Sequence, residues 1–138
     1  MDVLNYIKAA AAVAGCGFGF ILGGFDGILL ALLALVSADY CTGVLAAAWK
    51  KRLSSEVGFK GICKKVLIFL MVAMANFLDS YIFQGATPMR DAVIFFYIAN
   101  EGISLLENVG GLGVPIPGFM REILLKLKEE EGGNHDRK

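Results

Sequence analysis

The stretch from Gly27 to Ala48, GILLALLALVSADYCTGVLAAA, constrains this chain more than any other. As a helix, its roughly 22 residues rise about 1.5 Å each and span about 33 Å, the thickness of a bilayer's hydrocarbon core. Near its middle lies Asp39. A carboxylate at that depth costs on the order of 2.5 to 3.5 kcal/mol on insertion scales, so it demands a partner, a proton or water.

Composition agrees with a membrane class, since 57% of the 138 residues are apolar, against about 45 to 50% in soluble domains. Net charge is zero, yet Lys50, Lys51, Arg52, Lys60, Lys64 and Lys65 crowd the segment between Trp49 and Val66. That crowding marks a cytoplasmic loop under the positive-inside rule. These residues flank hydrophobic stretches and belong to no nucleic-acid-reading motif, so no nucleic-acid partner is expected.

Several chemistries are disfavoured. Cys16, Cys41 and Cys63 are scattered and odd in number, and the single histidine, His135, lies in a polar tail. Neither a disulfide framework nor a metal site or other cofactor is expected. There is no serine, histidine and acid set, no phosphate-binding glycine loop before a helix and no HExxH or CxxC spacing, so no catalytic residues are assigned and an enzyme is not expected. Val36-Ser37-Ala38 resembles a signal-peptide cleavage site, but the apolar stretch before it is far longer than a signal peptide's, and an intact leader is expected.

In chain order, Ala9 to Leu22 is apolar and small-residued. It spans a bilayer only if Val3 to Gly24 forms one helix with Lys8 snorkelling to the interface. Ala11, Gly15, Gly19 and Gly23 recur every fourth residue, the spacing that lets helices approach closely in lipid; the alternative is that the glycines merely loosen a hydrophobic leader. Gly23-Gly24-Phe25-Asp26 reads as a tight turn with Asp26 capping the next helix. Ser54 or Ser55 caps an amphipathic lead-in to a third span, Val66 to Gln84, with Asn76 near its centre and Asp79 one turn on.

A short outer connection, GATPMR, holds Arg90, the one basic residue placed outside. Asp91 to Gly110 carries Tyr97, Asn100, Glu101, Ser104, Glu107 and Asn108 on one side, with Ile94, Phe95, Ile98, Leu105 and Val109 on the other. Such a helix either spans with its polar face turned from lipid or lies flat. Gly110 to Pro117 ends it, and Phe119 to Lys128 is a brief amphipathic helix before a solvated tail.

The expected fold is therefore all-α: a helical integral membrane protein with three to four transmembrane helices and a short C-terminal amphipathic helix. Residues 1–116 form the membrane domain, and residues 117–138 a cytoplasmic helix and polar tail. Four crossings leave both termini in the cytoplasm; three make the first segment re-entrant or interfacial.

Laid against one bilayer, Asp39, Asn76, Asn100 and Glu101 fall near mid-depth, with Thr42, Gly43 and Ala46 on the face of Asp39 and Asp79 or Ser80 on that of Asn76. No basic residue is expected at that depth. The acids then rely on protonation, mutual hydrogen bonding or water. They serve either as glue between helices or as the lining of a lumen or proton path.

Three separated runs carry a resemblance: DYCTGVLAA at Asp39 to Ala47, LSSEVGFKGICKKVLIFLMVAMANFLD at Leu53 to Asp79, and RDAVIFFYIANEGISLLENVGGLGVPIP at Arg90 to Pro117. In this order they resemble the toxin-secretion and phage-lysis holin family. That resemblance implies a bacterial cytoplasmic membrane protein that accumulates, then assembles with itself into lesions releasing an endolysin or toxin. Membrane lipid, an antiholin as a candidate partner and the released cargo complete the implied partners. The alternative is a small ion-coupled transporter or proton channel; a third reading is a membrane adaptor.

Overall fold

Local signals set the helix ends. The Asp26 carboxylate accepts a hydrogen bond from the Leu29 amide at 3.0 Å, and the Ser54 hydroxyl accepts one from Val57 at 3.2 Å. Each satisfies a first-turn N–H that has no partner within the helix. Gly23 and Gly24 take φ of +85° and +99°, backbone that a glycine adopts without strain.

The resulting architecture, a computed structural model describing residues 2–132, comprises α1 (Val3–Ile21), α2 (Gly27–Trp49), α3 (Ser55–Ile82), α4 (Pro88–Gly111) and α5 (Gly118–Gly132). His135 and the rest of the tail lie outside the described residues. Helices α1 to α4 are each long and apolar enough to cross a membrane. The protein is an all-α membrane protein with a short C-terminal helix.

The third helix starts at the expected Ser54 cap and ends at Ile82, two residues before the expected Gln84. Its lead-in and its span form one 28-residue helix, about 42 Å long, because the Ser54 cap starts it early and no proline interrupts it. Lys64 and Lys65 are thereby drawn out of the expected loop and onto the span.

Helix α4 is central, touching α2, α3 and α5. Leu22, Leu29, Leu32, Val36, Ile68, Val72 and Ile94 form the buried cluster between α2, α3 and α4. Helices α2 and α4 run in the same direction, since Asp26 meets Arg90 near their starts and Thr42 meets Asn108 further along. The expected split of α4 into polar and apolar sides fails at Ile94 and Glu101, which are both buried. Seven residues apart, they share a face.

Helix α1 touches only α3 among the described helices and leaves Val3, Leu4, Ile7, Val13 and Phe20 exposed, a surface suited to lipid or to another chain. Its every-fourth-residue repeat is not a seam within one chain. Gly19 is buried beneath the Phe25 ring, Gly23 makes the turn, and a Cβ at Gly15 would meet nothing within 4 Å. Helix α5 folds back along α4: a Cβ at Gly110 would stand 3.0 Å from Ile116 Cδ1, and one at Gly102 3.0 Å from Leu124 Cδ1.

Candidate functional site: two buried charge clusters

Polar side chains gather at two levels of the bundle. At the first, Lys65 of α3 donates to both Asp39 of α2 and Glu101 of α4. The three side chains are 17%, 8% and 9% exposed, so one ammonium faces two carboxylates with little water. Lys65 lies ten residues into its helix, where a loop residue would have been solvated. This overturns the expectation that no basic residue reaches the depth of Asp39. An ion pair in low dielectric holds only when its remaining hydrogen-bonding sites are also met. On Asp39 they are, because Asn108 Nδ2 donates to Asp39 Oδ1 at 3.0 Å, and among the described residues no buried side-chain nitrogen or oxygen lacks a hydrogen-bond partner.

A small residue eases the approach at Gly61, where a Cβ would stand 3.1 Å from the Tyr40 ring, whereas one at Gly43 would make ordinary contact with Asn108 Nδ2 at 3.5 Å. The Tyr40 hydroxyl reaches the Gly58 carbonyl at 3.5 Å. Beside the cluster opens a cavity of about 340 Å³ whose lining includes Lys64, Ser104 and Asn108 with the three charged groups.

At the second level, Arg90 is 1% exposed. Its guanidinium makes five hydrogen bonds with its five N–H donors: to the Leu22 and Gly24 carbonyls at 2.5 and 3.0 Å, twice to Asp26 at 2.7 and 3.1 Å, and to Asp91 at 3.2 Å. Asp79 accepts from the Met89 and Arg90 amides at 3.1 and 2.7 Å, capping α4. Asn76 donates to the Ile21 carbonyl at 3.1 Å. Both therefore join the Arg90 end, and the expected shared depth of Asn76 with Asp39 is corrected: the eleven helical steps of α3 from Lys65 to Asn76 separate the two levels by about 16 Å.

Arg90 holds the Asp26 carboxyl below its ordinary value of 3.8 through their hydrogen bonds, with burial opposing and the Leu29 amide assisting. A depressed folded value adds stability above the unfolded pKa and loses it as pH falls through the folded one. The stability difference between wild type and Asp26→Asn in detergent is thus expected to shrink below pH 3.8. Thermal unfolding at neutral and acid pH measures it, and an equal difference at both would contradict the coupling.

Two charged clusters stitching apolar helices together suit a small multi-pass membrane protein, and the comparisons agree. The profile of the bacteriophage holin family matches residues 16–129. This chain belongs to that family. It is 39% identical over 130 residues to the uncharacterised 14.9 kDa protein in the nagH 3' region of Clostridium perfringens, covering 94% of this chain and 98% of the relative. An uncharacterised protein of Listeria innocua is 39% identical over 89% of this chain and 87% of its own length. The uncharacterised protein YqxH of Bacillus subtilis is 37% identical over 72% of this chain and 71% of its own. No solved structure matches.

Within this holin-family chain the remaining candidates disperse. Asn100 is half-buried and joins neither cluster; Lys50, Lys51 and Arg52 are exposed at the α2–α3 connection. Lys60 pairs with Glu56 at 2.6 Å on the surface, an exposed i,i+4 pair worth little. Reading from the sequence missed the bridging Lys65 and the clamping Arg90. A signal for Lys65 existed, because counting helically from the Ser54 cap places it three turns inside α3.

Proposed function

We propose that this chain is a holin, a protein of the bacterial cytoplasmic membrane that assembles with copies of itself into lesions through which an endolysin or a toxin leaves the cell. The observation that carries this reading is the Lys65 bridge between Asp39 and Glu101. It satisfies charges inside a single compact chain that lipid would otherwise penalise. The same groups suit a watered lumen once copies assemble, because water then replaces the internal partners. The exposed side of α1 with Gly15 is the surface proposed for contact between copies, both termini are assigned to the cytoplasm, and an antiholin is a candidate partner.

Induced expression with paired assays for membrane potential and for passage of a folded enzyme tests the reading. Collapse of potential together with enzyme release is expected. The polar cavity beside Lys65 favours one rival, a small proton channel or ion-coupled transporter; that rival predicts pH-dependent flux without passage of macromolecules.

Asp39 is the residue to alter first. Asp39→Leu leaves Lys65 and Glu101 as a neutral pair better suited to lipid, so later dye uptake in expressing cells is expected, with Asp39→Asn intermediate. Unchanged timing in both variants removes Asp39 from the mechanism.

A further inference from the structure

Helices α2 and α3 are joined by only five residues, 50–54, yet they do not close on each other along their whole length. Between them and the base of α1 lies a groove of about 540 Å³, walled by Phe18 and Ile21 of α1, Val36 of α2, and Phe69 and Leu70 of α3. An apolar space of this kind stays dry and takes an apolar occupant.

The size of the groove selects among occupants. On α3 it runs from Ile62 to Ala73, eleven helical steps or about 16 Å. Its 540 Å³ spread over that length leaves a cross-section of about 33 Å², whereas a helix of roughly 10 to 12 Å diameter fills about 80 to 110 Å². A helix of a second copy does not enter; a single acyl chain does.

One end of the groove is polar. Tyr40 and Lys65 line it and also line the 340 Å³ cavity that Lys64 borders, so the two spaces meet there. Asp39 and Glu101 border that cavity too, but both face Lys65. Lys60 is engaged by Glu56, while Lys64 is exposed and, among the described residues, in no ion pair. The outer surface of α3 changes character at this point. Glu56, Lys60 and Lys64 are exposed before it; from Val66 to Ile82 the exposed side chains are apolar or aromatic save Ser80. The groove therefore offers apolar walls along its length and a free ammonium at its end, the order in which a phospholipid presents its chain and its phosphate.

We propose that this groove binds one anionic phospholipid of the membrane, with an acyl chain between α2 and α3 against Phe69 and the phosphate on Lys64. A basic side chain attracts anionic lipid, and a zwitterionic lipid offers the same chains without net charge. The bound chain restores contacts that the gap between two consecutive helices forfeits, and it stabilises the compact form by binding to it. The proposal needs only a membrane around the chain, so it stands or falls apart from the holin reading.

The test uses the full chain, stripped of lipid in dodecylmaltoside micelles, with its one tryptophan, Trp49, changed to Phe. Phe69→Trp then places a reporter in the groove, and Leu67→Trp, at an exposed position outside it, is the control. Phosphatidylglycerol with brominated acyl chains quenches a tryptophan that it touches. Quenching at 69 is expected to saturate at one lipid per chain, while quenching at 67 rises only with bulk lipid. Lys64→Gln is expected to weaken phosphatidylglycerol binding about fivefold and to leave brominated phosphatidylcholine unchanged. Ser37→Phe, which narrows the groove from α2 at an exposed position, is expected to remove saturation for both lipids, with helical circular dichroism confirming that each variant is folded.

Equal, unsaturable quenching at 69 and 67 would overturn the proposal, as would saturation that survives Ser37→Phe or is indifferent to Lys64→Gln. Shielding of residue 69 that follows protein concentration and not lipid would also overturn it, in favour of a second copy in the groove.

Discussion

Replacing Lys65 with Met is expected to destabilise the bundle by about 3 to 5 kcal/mol, the cost of removing one partner from a buried ion network. Asp39 and Glu101 would then face each other from α2 and α4 with no ammonium between them. Each must take a proton, draw in water or move apart. Asn108 still donates to Asp39, so the larger strain falls on Glu101. Denaturation of the purified protein with SDS, followed by helical circular dichroism, measures the loss. The diagnostic variant adds Asp39→Asn and Glu101→Gln to Lys65→Met, removing all three charges. Most of the lost stability is expected to return, because the penalty comes from unpaired charge and not from missing attraction. A triple variant as unstable as Lys65→Met alone would sink that account.

Arg90→Ala is expected to produce the second large effect, by loosening one end of the bundle. Five hydrogen bonds disappear, two of them to carbonyls of the α1–α2 connection. Asp26 and Asp91 have side chains 47% and 42% exposed and recover water, so they contribute little to the loss. The Leu22 carbonyl does not recover so readily, because Leu22 is 1% exposed, and an unmet buried acceptor costs about 1 to 3 kcal/mol. The cavity left by a fully buried side chain adds to this. Hydrogen exchange is the suitable measurement: protection is expected to fall at 22–26 and in the first turn of α4 while the Lys65 level stays protected. Uniform loss along all helices would argue against two separable clusters. Arg90→Lys is expected to rescue poorly, since an ammonium cannot reproduce the planar fork that reaches Asp26 and two carbonyls together.

Much of the fold was legible in the residues. Apolar runs of spanning length, the Asp26 and Ser54 caps, the Gly23-Gly24 turn and the proline-bounded end of α4 each follow from chemistry acting within a few residues. The candidate site was legible only in part. Asp39 and Glu101 stood out as acids in apolar surroundings, whereas Lys65, one of several lysines in a basic run, looked like part of a loop. Asn76 and Asp79 were placed by counting from the ends of a 19-residue segment, and the early start of α3 shifted that count by more than two turns.

By itself, then, the sequence determined that the chain is helical, that it belongs in a membrane, and where most helices begin and end, because those properties depend on composition and on contacts within a turn. Only the tertiary structure decided which charges meet. Helical periodicity places a side chain on a face, but the axial register and the choice of neighbouring helix come from packing between residues far apart in sequence. That register brought Lys65 to Asp39 and Glu101, and Arg90 to Asp26, and laid α5 along the small face of α4 at Gly102.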